Sequence, residues 1–227
     1  MPGARADLRL HGEASSGGKR RVRPCQVLVA GLDEAGRGPL AGPLFAAAVI
    51  LHPARRIRGV GDSKRIDPAT RERLAASIRV RSIAWGLGIA DAEEVDALNV
   101  LGATWLAMRR ALLALPVAPG RVRVDGNLCP SLDGLGLACR GEPEVGGDGR
   151  IAAIGAASIL AKTARDAWMR RAARVYPGYG FEHHVGYGTP EHLAALDRLG
   201  ACRLHRRSFG PVRFLELPLP PVPDRDR

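Results

Sequence analysis

Hydrophobic and polar positions along the chain change period several times, and each change marks an element. Val27 to Leu32 is an apolar run of strand length that ends in two carboxylates, Asp33 and Glu34. Leu44 to Leu51 is a second apolar run. In Ile83 to Ile89, Trp85 and Leu87 alternate with small residues, which predicts a third strand. Between the last two, Gly61-Asp62-Ser63-Lys64 reads as a loop, and Pro68 opens a helix from Ala69 to about Ile78. Three strands in such short succession predict an antiparallel meander.

Past residue 90 the period switches to strand and helix in alternation. Asp91 and Glu94 have the spacing of a capping box, and the helical pattern continues past Asn99 through Trp105, Met108 and Leu112 until Pro116 stops it. Arg121 to Val124 predicts a short strand that delivers Asp125-Gly126-Asn127 at its end, and Leu137 to Cys139 a brief fifth strand. The loop Gly141 to Gly149 leads to a long helix from about Ile151 to Val175. Thr189-Pro190 starts a further helix, which Gly200 closes after Leu199. The order implies an α/β fold, a mixed five-stranded sheet with helices on both faces, followed by a C-terminal helical extension.

Composition narrows the class of partner. A chain of 227 residues with 46% hydrophobic content can build one good core. Its net charge of +11 points to a polyanion, nucleic acid before membrane, because no segment is long and apolar enough to span a bilayer. Of its 34 basic residues only Lys19, Lys64 and Lys162 are lysine. A compact ammonium and a forked guanidinium are not interchangeable at a crowded site, so Lys64 and Lys162 are candidates for contact with a phosphate. Residues 1–24, rich in Gly, Ser, Arg and Lys without a signal-peptide core, read as a basic arm, and residues 218–227 as a Pro-rich tail. Cys25, Cys129, Cys139 and Cys202 lack a paired zinc spacing and are expected to be reduced thiols of a cytoplasmic protein. The four histidines of the C-terminal section have no cysteine or carboxylate at ligand spacing, so zinc is not expected there.

The candidate chemistry gathers around Asp33. Side chains alternate across a strand, so Asp33 is expected at the centre of a site, with Glu34 reaching in from the frayed end. Gly36 and Gly38 allow a tight turn and close approach to a ligand, and Arg37 adds a fixed charge between them. Paired acids beside such a loop suit a metal-dependent reaction on a phosphate ester, since hard divalent cations take carboxylate oxygen. On the long helix Ser158, Lys162 and Asp166 fall at four-residue steps and share one face. Further on, Tyr179, Phe181, Tyr187 and Phe209 mix with Arg206 and Arg207, which suits a nucleic-acid surface.

Taken together, these residues resemble bacterial ribonuclease HII. The resemblance runs from about Val27 to Val212. It rests on Gly31-Leu32-Asp33-Glu34-Ala35-Gly36-Arg37-Gly38-Pro39-Leu40, Asp62-Ser63-Lys64, Val124-Asp125-Gly126-Asn127, Ala156-Ala157-Ser158-Ile159-Leu160-Ala161-Lys162 with Arg165-Asp166, Gly186-Tyr187-Gly188-Thr189, and His205-Arg206-Arg207-Ser208-Phe209-Gly210-Pro211-Val212. It implies a ribonuclease H-like catalytic domain over residues 25–176, with an extension over 177–217 that helps hold a duplex. It implies hydrolysis of RNA in RNA-DNA hybrids and incision on the 5′ side of single ribonucleotides in DNA, with two divalent cations, Mn²⁺ or Mg²⁺. Asp33, Glu34, Asp125 and Asp166 are then the acidic metal ligands, Gly36, Arg37 and Gly38 read the ribose, and Tyr187 packs at the ribonucleotide. Ser63, Lys64, Ser158, Lys162, Arg206 and Arg207 complete the expected substrate contacts.

The chain departs from the family at Gly146 and Val185, where relatives often have lysine, and at Gly155, where they often have serine. A monomer is expected, with a contact between the C-terminal tail and a replication clamp as a further expectation. Two rivals stand beside this reading: another nuclease of the same fold, such as a ribonuclease HI or a junction nuclease, and a basic nucleic-acid-binding module whose acids merely end strands.

Overall fold

The computed structural model describes residues 27–61, 66–138 and 140–215. Among them five strands, β1 (Val29–Ala35), β2 (Leu44–Ile50), β3 (Ala84–Ala90), β4 (Arg121–Asp125) and β5 (Gly141–Glu144), form one sheet in the order β3-β2-β1-β4-β5. The first three make the expected antiparallel meander; β4 joins β1 and β5 joins β4 in parallel. Helices α1 (Pro68–Arg81), α2 (Ala92–Leu113), α3 (Gly147–Arg150) and α4 (Ala152–Val175) surround the sheet, and α5 (Phe181–His184), α6 (Pro190–Leu199) and α7 (Gly210–Leu215) form the extension.

The alternation of β2 shows how the core divides. Ala46, Ala48 and Ile50 face one layer with Ala103, Ala107, Met108 and Ala111 of α2, while Ala47 and Val49 face the other with Ala75 and Ile78 of α1 and Ile159 and Leu160 of α4. Every residue of β2 is buried. Its small side chains let both helical layers come close, and glycines do the same on the neighbouring strands. A β-carbon on Gly88 would lie 1.9 Å from the Ala107 carbonyl oxygen of α2, and one on Gly31 would lie 2.2 Å from the Ala153 backbone of α4. Close backbone approach is what requires glycine at these strand positions.

Local chemistry sets the helix ends as the pattern predicts. Asp91 and Glu94 complete a reciprocal capping box, Asp67 caps α1 ahead of Pro68, and Thr189 caps α6 ahead of Pro190. Three expectations are corrected. β1 begins two residues later than predicted and continues through Asp33 and Glu34 to Ala35, because β2 pairs with it as far as Ala35↔Phe45. The fifth strand is Gly141–Glu144 rather than Leu137 to Cys139; Leu137 is outside any strand, and Cys139 lies outside the described residues. Its polar sequence with Pro143 suits only an edge, where β4 supplies the one line of partners. Asn99 interrupts the helical path of α2 at φ 59°, and its Oδ1 accepts from Leu101 N at 2.9 Å and Gly102 N at 3.2 Å, so it caps the helix anew.

The extension folds back over the loop that follows β1. Leu40 N donates to Gly186 O at 2.8 Å, Gly42 N to Leu204 O at 2.8 Å, and Ala41 bridges His205. Beneath this contact His184 and His192 stack 4.4 Å apart, and His192 Nε2 lies 3.1 Å from His205 Nε2. Burial holds both His192 and His205 below the ordinary histidine range, which favours the neutral form of these two rings.

The close approach at Gly88 yields a direct test. Gly88→Ala is expected to lower the free energy of unfolding by roughly 2–3 kcal/mol, the scale of overpacking a filled interior. Gly149→Ala, whose new β-carbon meets nothing within 4 Å, should change it by less than about 0.5 kcal/mol. Urea denaturation of the two variants measures the difference.

Candidate active site

The site starts from strand register. Parallel pairing of β1 with β4 ends at Leu32↔Val124, so the next residue of each strand, Asp33 and Asp125, projects just beyond the last rung. Both lie on the face that carries α4, since Leu32 and Val124 point into the opposite layer. After β5 the chain turns through Gly146 at φ 63° into the short α3. Gly147 N there donates to Asp125 Oδ1 at 2.8 Å, and Asp148 N to the same oxygen at 3.4 Å. The turn brings Asp148 back onto the pair. Ligand oxygens of Asp33, Asp125 and Asp148 lie within 4.8 Å of one another.

Asp33 is buried at the centre. Its Oδ1 accepts from the Glu34 amide at 2.7 Å, and Ser158 on α4 bonds to its carboxylate. Burial holds Asp33 well above the usual carboxylate range, and the charges of Glu34 and Asp125 push the same way against the hydrogen bonds. No Lys or Arg forms an ion pair with Asp33, Asp125 or Asp148 among the described residues. A donor set made only of carboxylate oxygens fits a hard divalent metal such as Mg²⁺ or Mn²⁺.

Beside the acids is a cleft of about 250 Å³ lined by Glu34, Ala35, Gly36, Arg37, Gly38, Ser158, Lys162 and Tyr187. Glu34 therefore faces the cleft as the alternation predicts, with Arg37 Nη1 3.3 Å from its Oε1. Tyr187 is 43% exposed and forms the far wall. The structure thus assembles most of the expected residues: Asp33, Glu34, Asp125, Gly36, Arg37, Gly38, Ser158, Lys162 and Tyr187. Ser63 and Lys64 lie outside the described residues.

Two expectations change. Asp166 is not in the carboxylate group: Lys162 Nζ holds its Oδ1 at 2.5 Å, and Arg71 Nη1 of α1 its Oδ2 at 3.1 Å. Two helical turns separate it from Ser158, the residue of α4 that reaches Asp33, so its carboxylate ties α4 to α1. Arg206 is fully buried and donates to backbone carbonyls, so its guanidinium is withdrawn from the surface where a phosphate would bind. Arg207 stays exposed, its amide bonded to Asp96 Oδ2 at 2.8 Å. The acid overlooked in the sequence is Asp148. The only local signal for it was Gly146-Gly147-Asp148-Gly149 just ahead of the long helix, which reads equally well as a solvated turn.

A mixed five-stranded sheet of this order, with acids delivered at the ends of adjacent parallel strands, defines a ribonuclease H-like nuclease. The family model for ribonuclease HII matches residues 30–212. Ribonuclease HII of Thiobacillus denitrificans is 54% identical over 189 residues, 83% of this chain and 90% of its own. Among solved structures, the ribonuclease H2 from Pyrococcus horikoshii OT3 matches with TM-score 0.69 and 29% identity over 83% of this chain and 96% of that one. Ribonuclease HII of Archaeoglobus fulgidus, solved in complex with PCNA, matches with TM-score 0.63 and 26% identity over 76% and 88%. The chain belongs to the ribonuclease HII family, the type 2 ribonucleases H, which are endonucleases that hydrolyse phosphodiester bonds.

The raised pKa of Asp33 has a sign that can be checked without substrate. A carboxyl with a folded pKa above its unfolded one contributes most below about pH 4, and that contribution is lost as pH rises through the raised value. In chelator the parent protein is therefore expected to lose thermal stability over this window more steeply than Asp33→Asn. Adding Mn²⁺ should raise the melting temperature of the parent more than that of the variant. Calorimetry across pH 4 to 8 measures both.

Proposed function

We propose that this protein hydrolyses the RNA strand of RNA-DNA hybrids and incises duplex DNA on the 5′ side of a single embedded ribonucleotide, leaving 5′-phosphate and 3′-hydroxyl ends. The observation that carries the reading is the placement of the Asp33, Asp125 and Asp148 carboxylates beside a cleft walled by Gly36–Gly38 and Tyr187. Asp33, Asp125 and Asp148 would hold one divalent cation, and Asp33 with Glu34 a second, Asp148 taking the role expected of Asp166. Bound there, the cations would lower the pKa of an attacking water and neutralise charge on the leaving oxygen.

The chain's own groups do the positioning. Ser158 and the Glu34 amide orient the Asp33 carboxylate, and the first amides of α3 orient Asp125. Backbone groups of Gly36–Gly38 reach the 2′-hydroxyl because no side chain stands between, and this hydroxyl distinguishes RNA from DNA. Tyr187 packs against the sugar. Lys162, held upright by Asp166, meets a phosphate, as do Arg37 and Arg207, and such contacts position the duplex without reading its sequence. Ser63 and Lys64 belong to the same proposal. The protein acts as a cytoplasmic monomer and contacts a replication clamp through its C-terminal tail; the Archaeoglobus fulgidus relative solved with PCNA supports the clamp contact alone. That tail, residues 218–227, lies outside the described residues.

Two sets of variants test the assignments on an end-labelled DNA duplex with one ribonucleotide. Asp148→Asn is expected to lower turnover roughly 100-fold or more. Asp166→Asn should keep most of the activity while losing roughly 1.5–3 kcal/mol of stability from the α1–α4 tie. The opposite ranking would restore Asp166 as the ligand. At Gly38 a new β-carbon would lie 3.8 Å from Tyr187 Cε1, an ordinary contact, so the fold itself accepts alanine. Gly38→Ala should therefore melt like the parent yet cleave at least about 10-fold more slowly; full activity would refute the close approach of the ribose.

A further inference from the structure

Two arginines lie buried under the loop that forms the wall of the cleft, and neither has a carboxylate as hydrogen-bond partner among the described residues. Arg206 is 0% exposed and Arg165 1%. Arg206 Nη2 donates to Gly36 O at 2.6 Å and to Gly42 O at 2.8 Å, Nη1 to Arg37 O at 3.0 Å, and Nε to Gly42 O at 3.1 Å. Arg165 Nε donates to Pro43 O at 3.0 Å and its Nη2 to Ala41 O at 3.2 Å. Its guanidinium packs so tightly under Gly36, at φ 98°, that a β-carbon there would stand 2.2 Å from Nε. The same guanidinium lies 5.9 Å from the centre of the Tyr187 ring.

Burying two like charges is unfavourable unless dipoles compensate them, and here loop carbonyls do so. Only a forked guanidinium reaches several carbonyls at once in a fixed plane. The consequence for the loop follows from peptide geometry. A trans peptide holds its C=O and the following N–H on opposite sides, and the described residues contain no cis bond. With the Gly36 and Arg37 carbonyls turned inward to Arg206, the amides of Arg37 and Gly38 are turned outward, toward the cleft lined by Ser158, Lys162 and Tyr187. The structure records no acceptor for either amide among the described residues.

We infer that Arg206, supported by Arg165, is a positioning residue for sugar discrimination: it touches no substrate, and by fixing two carbonyls inward it aims the Arg37 and Gly38 amides at the ribose. This rests on the reading that the Gly36–Gly38 loop senses the 2′-hydroxyl. It also reassigns Arg206 from the phosphate contact expected of it to the inside of the recognition loop. Lysine at 206 keeps the charge but cannot span the Gly36, Arg37 and Gly42 carbonyls together, so the loop relaxes while the acids stay in place.

The test uses the full chain carrying Asp33→Asn, which binds without turnover. Affinity is measured by fluorescence anisotropy for a DNA duplex with one ribonucleotide and for the same duplex all in DNA. Adding Arg206→Lys is expected to reduce the ribo-to-deoxy preference about tenfold, the scale of one net hydrogen bond. Affinity for the all-DNA duplex should change less than about threefold, because phosphate contacts dominate it. A folded variant with the parental preference, or one that weakens on both duplexes alike, overturns the inference. Amide chemical shifts of Arg37 and Gly38 in the parent separate the two readings. If they respond alike to both duplexes, the loop does not sense the ribose and the proposal falls with that reading, whether or not the lysine variant folds. If they respond only to the ribonucleotide while the variant keeps its preference, the loop senses the sugar and Arg206 does not set it.

Discussion

The site depends on carboxylates held together against their own repulsion. Strand register supplies the first two: parallel pairing of β1 and β4 stops at Leu32↔Val124, which leaves Asp33 and Asp125 side by side beyond the last rung. Backbone amides at the start of α3 then fasten Asp125 and bring Asp148 to the same place. Among the described residues these carboxylates repel one another, and the rigidity of the sheet and of α4 behind it keeps them together. Such strain is tolerable only when the surrounding packing over-determines it. The small residues of β2 and the close approaches at Gly31 and Gly88 provide that packing.

A second layer of organisation surrounds the acids. The extension is held to the loop after β1 by backbone bonds at Leu40 and Gly42, by the bridge between Ala41 and His205, and by histidine rings packed below. Arg165 and Arg206 enter the same loop from α4 and from the extension, so elements distant in sequence fix the cleft wall. Asp166 belongs to this supporting structure as well, since its bonds to Lys162 and Arg71 set the cleft's basic edge and hold α1 against α4. Val185, at φ 44°, holds a left-handed turn unfavourable for a β-branched residue just before Gly186 and Tyr187, and the pairing of Leu40 N with Gly186 O keeps it there.

Much of this could be read along the chain. Apolar runs located the first three strands, Asp91 with Glu94 and Thr189 with Pro190 located two helix starts, and Asp33 before Gly36-Arg37-Gly38 marked the candidate cleft, because each depends on chemistry within a few residues. The fifth strand escaped because Gly141–Glu144 has no apolar alternation; an edge strand needs only a partner, and that partner is β4. The turn at Asn99 escaped because its side chain caps a helix that the apolar period alone describes as continuous.

Asp166 and Arg206 show where reading residues in order stops. Spacing on a helix says which side chains share a face but not what that face meets, so the sequence groups Asp166 with the other acids while the structure sets it against Arg71 of α1. An arginine beside another arginine near the C-terminus looks like a surface pair, yet the return of the chain over Gly36 and Gly42 buries one and leaves the other outside. The sequence by itself determined the elements, the basic character and the acidic centre, since those follow from local pattern and charge. Only the tertiary structure decided which acids converge and which cations turn inward, because both depend on strand register and on contacts between segments up to 170 residues apart.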